Sequence, residues 1–203
     1  GQTRTVFFTF EATDSNGGVS NLGQINIVVT GVNDDTTVAS GSIDSDVFED
    51  GAPVQDSVPD LTDADTGDTY TYSTVSGPSE GSISWINSST GLYEFDPGSD
   101  FQDLSQGQQE EVSFTYKTID QNGIESLNNG QIDVTVRGEN DPPIVQSGDF
   151  GSAVYEDGGP ESDTIEGTVE VDTGDTYTYS TVSGPSEGTI TWIDDGEAGL
   201  YEF

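Results

Sequence analysis

The stretch from Asp65 to Gly81 returns letter for letter from Asp172 to Gly188. A chain that repeats at a fixed period is an array of like units. Each unit of such an array buries its apolar side chains largely within itself or against its neighbours. The match extends well beyond the identical stretch. Val112, Phe114 and Tyr116 repeat Val6, Phe8 and Phe10, and Asp120–Gly123 repeats Asp14–Gly17. Ile132, Val134 and Val136 repeat Ile25, Ile27 and Val29, and Gly138–Asp141 repeats Gly31–Asp34. Val154–Gly158 repeats Val47–Gly51, and Gly199–Phe203 repeats Gly91–Phe95. The period, from Asp65 to Asp172, is about 107 residues.

Within each period the apolar residues alternate with polar ones, the signature of half-buried strands. Val6, Phe8 and Phe10 alternate, a polar turn of Asp14, Asn16 and Gly17 follows, and Ile25, Ile27 and Val29 alternate again. Tyr70 with Tyr72, Ile83 with Trp85, and Tyr93 with Phe95 mark further strands. No segment sustains a 3.6-residue period. Hydrophobic residues are only 30% of the chain, but their alternation argues against disorder. Six or seven short strands per period predict all-β, tandem antiparallel β-sandwich modules of immunoglobulin-like type. The chain begins and ends at corresponding points of the repeat. That predicts one module over 1–97, a junction loop over 98–103 and a second module over 104–203. The alternative phase places one central domain between two partial ones.

The 39 acidic and 3 basic residues give a formal net charge of −36. Phosphate backbones need Lys and Arg, so nucleic acid is excluded as a partner, and anionic membrane surfaces are disfavoured. The chain has no Cys and no His. That removes Cys nucleophiles, His general bases, the usual zinc sites and every disulfide. There is no apolar run long enough for a membrane helix and no signal-peptide pattern. The sequence reads as a piece of something longer. Neighbouring repeats are its expected partners, with no small-molecule substrate, and the chain is expected to be monomeric.

The acids cluster at repeated places. In the first period these are Asp14/Asn16, Asn33/Asp34, Glu49/Asp50 and Asp63/Asp65/Asp68; in the second, Asp120/Asn122, Asn140/Asp141, Glu156/Asp157 and Glu170/Asp172/Asp175. Where the copies differ, an acid often replaces an acid, as at Asp63 and Glu170. Calcium takes six to eight oxygen ligands, and carboxylates two or three residues apart can wrap one ion. The Asp63–Asp68 loop has that spacing but lacks the final Glu and the flanking helices of an EF-hand. For any lone Asp the plain reading is a turn residue capping its own backbone. For Asp63, Asp65 and Asp68 taken with Glu49, Asn33 and Asp34, a calcium site is favoured. Asp96, Asp100 and Asp103 form a further acidic loop without a second copy for comparison. Trp85 and Trp192 are read as core residues in phase with Ile83 and Ile190 rather than as sugar platforms. Tyr70, Tyr72, Tyr177 and Tyr179 take the same core reading.

The Gly-x-Asn-Asp connector, Glu-Asp-Gly, the acidic loop before Thr-Tyr, the Gly-Leu-Tyr-Glu-Phe strand and the Phe-Thr-Tyr hairpin recur together and in order. In these the chain resembles the cadherin-like (VCBS-type) tandem repeats in the extender regions of giant bacterial RTX adhesins. The resemblance implies a secreted, cell-surface spacer of Gram-negative bacteria that serves attachment and biofilm formation, with calcium stiffening the linkers between modules. It places Asn33, Asp34, Asn140 and Asp141 in the linker motif, and Asp14, Asp120, Glu49 and Glu156 among its neighbouring acids. Two departures stand out. Asp35 faces Pro142, and the second acidic loop opens Val-Glu-Val rather than Thr-Asp-Ala. No Gly-Gly-x-Gly-x-Asp nonapeptides occur.

The expected function is therefore a calcium-stiffened spacer that holds a distal binding domain away from the cell. The alternative is a calcium-dependent ligand-binding module, for example for sugars. An enzyme is not expected. Carboxylate pairs can hydrolyse glycosides, but nothing singles out one pair among so many acids.

Overall fold

The computed structural model describes residues 1–193 and 198–203. Every regular element in it is a strand, and no helix among the described residues is long and apolar enough to cross a membrane. The strands are β1 (Thr3–Phe10), β2 (Gly23–Thr30), β3 (Gly41–Ser42), β4 (Val47–Phe48), β5 (Val54–Ser57), β6 (Tyr70–Ser76), β7 (Ser82–Asn87), β8 (Leu92–Asp96), β9 (Gln109–Asp120), β10 (Gly130–Arg137), β11 (Ser162–Thr164), β12 (Thr191–Trp192) and β13 (Leu200–Glu202).

The centre of the chain is a two-sheet sandwich. One sheet runs β3-β10-β9-β6, with β4 also on β10, and the other runs β5-β8-β7. Strands β3 and β4 lie parallel to β10, and the remaining pairs are antiparallel. Alternation along each strand sends every second side chain into the space between the sheets. From β9 these are Val112, Phe114 and Tyr116, from β10 Ile132, Val134 and Val136, and from β8 Tyr93 and Phe95, all buried. Tyr93 meets Phe114 edge-on across the sheets at 5.1 Å between ring centroids. Trp85 packs against Tyr72, Tyr93 and Tyr116, and its indole N–H donates to Thr74 Oγ1 at 3.0 Å. The core reading of Trp85 is therefore right.

The core does not follow the boundaries 1–97 and 104–203. It runs from Val38 to Val136 and includes Phe101 and Leu104, which flank or lie in the expected junction loop. Strands β9 and β10, expected to open a second module, complete the first: β9 pairs with β6 on one side and β10 on the other. The packing thus takes the alternative phase. The β1–β2 hairpin precedes the sandwich and pairs only within itself among the described residues. Residues 141–203 carry a small sheet, β11-β13-β12, the counterpart of β5-β8-β7. The isolated pair Ile144–Val169 there reproduces Thr37–Thr62 of the sandwich.

Candidate functional site: carboxylates at two junctions

The structure sorts the acidic residues into two groups, one at each end of the sandwich. The first lies where the connector 31–35 enters. Asp120 closes the turn after β9, its Oδ1 accepting the amides of Asn122 and Ile124, both at 2.8 Å. Gly123 supplies the left-handed residue this turn requires (φ 84°). The other oxygen, Oδ2, accepts from Asn33 Nδ2 at 2.8 Å, and Asn33 Oδ1 accepts from Asn122 Nδ2. The Ile124 amide, with the Asn33 and Asn122 donors behind it, holds the Asp120 carboxyl below its ordinary range. Beside it, Asp65 Oδ2 accepts the Asp34 amide at 2.8 Å, and Asp63 Oδ1 accepts the Asp65 amide at 2.7 Å. Tyr70 donates its hydroxyl to Asp63 Oδ2 at 2.7 Å. Burial pushes that hydroxyl's pKa up, and the Asp63 carboxylate pushes it further. Tyr70 thus serves the acidic loop and is not among the buried core residues, contrary to its sequence reading, whereas Tyr72 is buried in the core. Asp68 leaves Oδ2 buried without a partner.

The second group lies where the chain leaves β10. Glu49 is 1% exposed and Asp172 is 3% exposed. Glu49 Oε1 accepts the Glu139 amide at 2.6 Å, and Asp172 Oδ2 accepts the Asp141 amide at 3.0 Å. Glu170 Oε1 accepts the Asp172 amide at 3.2 Å. The loop of Asp103 and Ser105 reaches the same place: Asp103 C=O accepts from Thr173 N at 2.9 Å, and Ser105 Oγ donates to Thr173 C=O at 2.7 Å. Three carboxylate oxygens here, Glu49 Oε2, Asp141 Oδ2 and Asp172 Oδ1, are buried without a hydrogen-bond partner. Burial raises the Glu49 pKa against the lowering effect of the Glu139 amide, and Asp141, Asp50 and Asp172 raise it further. Burial likewise raises Asp141, followed by the charges of Asp50 and Asp172.

Glu49 and Asp50 therefore belong with Asp141, Glu170 and Asp172 of the second period, not with Asp63–Asp68 as the sequence grouping has it. Several other candidates act as turn caps. Asp14 Oδ1 accepts the Asn16 and Gly18 amides at 2.9 and 2.7 Å, repeating the Asp120 turn. Asp96 Oδ1 caps Gly98 N at 2.9 Å, and Asp100 Oδ2 holds Gly81 N at 2.9 Å. The Asp175 amide donates to Asp172 C=O at 3.3 Å. Asn140, Glu156 and Asp157 are exposed. Sequence reasoning missed Tyr70, Gln102, which donates to Asp50 Oδ1 at 3.1 Å, and Gln121, whose Oε1 accepts Thr69 N at 2.7 Å. Only Tyr70 had a signal, its place directly after a repeated acidic loop.

As the side chains stand, no group of three or more acidic residues among the described ones converges closely enough to hold an ion. The donor set of the second junction nonetheless fits a hard cation. Buried unpartnered carboxylate oxygens are costly, and an oxygen-seeking ion relieves that cost. The orphaned oxygens outweigh the spacing, because a rotation of a carboxylate changes the spacing but not the burial of the junction.

No family model and no curated relative matches this chain. Among solved structures it is similar to the extracellular cadherin domains of three protocadherins. With protocadherin gamma B2 domains 1–5 it shares 17% identity at a TM-score of 0.48, covering 100% of this chain and 45% of the other. With protocadherin gamma C5 domains 1–3 the values are 14% and 0.48, covering 98% and 65%. With protocadherin gamma B7 domains 1–4 they are 13% and 0.46, covering 100% and 57%. The chain thus spans about half to two thirds of the length of these structures. Its all-β architecture stands on its own strands and core.

Proposed function

We propose that this chain is a stretch of a calcium-stiffened spacer in a large adhesin on the surface of a Gram-negative bacterium, holding a distal binding domain away from the cell for attachment and biofilm formation. The observation that carries the reading is the second junction. There Glu49, from one unit, and Asp141 and Asp172, from the connector and the next unit, each bury an oxygen with no partner. Glu49, Asp50, Asp141, Glu170 and Asp172 would hold the ion there. Asn33, Asp63, Asp65, Asp68, Asp120 and Asn122 form the corresponding set at the first junction. When bound, calcium supplies positive charge shared between two units. The residues themselves already bring the connector to the sandwich through backbone amides. Without the cation, their charges repel and the joint loosens. A row of joined sandwiches lengthens in proportion to their number, whereas a free linker lengthens only as the square root.

Small-angle scattering of the full chain in calcium and in chelator tests this. A larger maximum dimension with calcium, and a melting temperature raised by calcium but not by magnesium at equal ionic strength, is the expected result. The same dimension and the same melt in all three solutions would leave the acids as a screened surface, and the spacer without stiff joints.

A further inference from the structure

The chain enters the central sandwich at one pole and leaves it at the other, and the segments at those two points lie side by side. Residues 36–49 open the unit and β10 closes it. Strands β3 and β4 run parallel to β10, with Gly41 beside Ile132, Ser42 beside Asp133, Val47 beside Val136 and Phe48 beside Arg137. The direction of this pairing decides how a pull along the chain acts. In an antiparallel pair the chain would enter and leave at one pole, and tension would open the bonds one after another. In the parallel pair, a pull before Thr36 drags the first segment one way, and a pull beyond Arg137 drags β10 the other. The two segments slide past each other, and their bonds are loaded together.

The first segment is fastened along its whole length. Thr36 C=O accepts from Leu127 N at 2.9 Å. The Asn128 side chain stands in for a strand: its Oδ1 accepts the Val38 amide at 3.1 Å, and its Nδ2 donates to Val38 C=O at 2.7 Å. Tyr116 donates its hydroxyl to Ala39 C=O at 2.7 Å, and Gln131 N donates to Ser40 Oγ at 3.0 Å. Beyond β3, Ile43 N donates to Asp133 C=O at 3.0 Å, and Glu49 N donates to Arg137 C=O at 3.1 Å. Arg137 Nε donates to Asp46 Oδ1 at 3.0 Å. Val38 and Val47 are 3% and 0% exposed, so sliding also drags two apolar side chains out of the core.

We infer that residues 36–49 and β10 form a shear clamp, and that the sandwich bears tension along the chain. One hydrogen bond holds little against water. Resistance to a pull comes from having to break many at once. Every bond of the clamp is made by the protein alone, so its strength needs no cation. Only the source of the tension rests on the reading of the chain as a spacer between a cell and a distal binding domain.

The chain has no cysteine of its own, so introduced ones fix where it is pulled. In the full chain, Asp35→Cys with Asn140→Cys loads the first segment and β10 in shear. Asp35→Cys with Asn129→Cys pulls at one pole and peels the segment from β10. All three positions are exposed. Single-molecule force spectroscopy of both, in chelator and at one loading rate, makes the comparison. The shear pair should rupture at several times the force of the peeling pair, releasing roughly 300 Å of chain. Rupture force follows the unfolding rate rather than equilibrium stability. Asn128→Ala should therefore lower the shear force. Ile83→Ala, on the opposite sheet and packed against the core, should lower the melting temperature and leave the shear force unchanged. Equal forces in the two directions would overturn the clamp, as would a shear force that falls with the melting temperature in both variants. Because the forces are read in chelator, a failure of the calcium reading leaves the expected contrast standing, and equal forces sink the clamp alone.

Discussion

Asn33 Nδ2 donates to Asp120 Oδ2 at 2.8 Å, between residues 87 apart in the chain. This bond, with the return bond from Asn122 to Asn33 Oδ1, fastens the connector behind β1–β2 to the turn that ends β9. The turn is built for the task, since Asp120 spends Oδ1 on two backbone amides and keeps Oδ2 for Asn33. Replacing Asn33 by Ala removes one donor and one acceptor at the joint but touches nothing in the core. Nuclear relaxation should then show the hairpin tumbling faster than the sandwich, with the melting temperature of the sandwich changed little. Equal correlation times for β1 and β9 in the variant would show that the bond does not hold the joint.

Removing a charge at the second junction should have opposite effects with and without calcium. Asp141→Asn relieves repulsion with Asp50 and Asp172, so in chelator it should raise the melting temperature. In calcium the same change removes a ligand charge and should lower the midpoint relative to the unaltered chain. Calcium titrations followed by thermal melts measure both signs. A shift in the same direction under both conditions would remove Asp141 from the site.

The carboxyl pKa values predict how metal-free stability responds to acid. Glu49 and Asp141 are raised above their ordinary 4.5 and 3.8. Each therefore contributes stability below its ordinary pKa that is lost as pH rises through the folded value. Asp120 is lowered below its ordinary 3.8, so its contribution is present above that value and lost as pH falls through the folded one. In chelator, the melting temperature should rise as pH falls from 7 toward about 4.5 and fall again below about 3.8. General relief of the chain's negative charge acts in the same direction in the upper range. Glu49→Gln separates the two effects, because the rise should be smaller in that variant.

Equivalent residues of the two hairpins should respond differently to truncation. Phe114→Ala opens a cavity in a packed core and should cost about 3–5 kcal/mol. Phe8→Ala, in dilute solution where the hairpin stands free, should change the unfolding free energy of the sandwich by less than about 0.5 kcal/mol. Urea denaturation of the two variants compares them directly. Similar losses would mean that Phe8 already has a partner within the same chain.

The strands were legible because alternation is a local property. Tyr93 and Phe95, or Val112 and Phe114, announce an inward face wherever the unit begins. The phase of the folding unit was not legible, because a tandem repeat reads alike in every frame. The long-range pairings of β9 with β6 and of β10 with β3 and β4 fix it. The acidic clusters were readable as residues but not as partnerships. Glu49 and Asp172 come from different periods and meet only because the end of β10 carries the chain past Glu49 into the next unit. Tyr70 was misread for a related reason. Its alternation with Tyr72 suggests the core, yet the hydroxyl of Tyr70 is drawn to Asp63 at the rim.

The mismatch between the repeat in the sequence and the unit in space affects how such an array changes in length. The hairpin that completes each sandwich is encoded at the start of the next period. Recombination between the two identical stretches, Asp65–Gly81 and Asp172–Gly188, would delete one period and splice the opening strands of one sandwich to the remainder of another. Every strand would still find its neighbour, and each acid at a joint its counterpart. The array can therefore shorten or grow by whole units at a crossover inside the fold, without a clean boundary between domains.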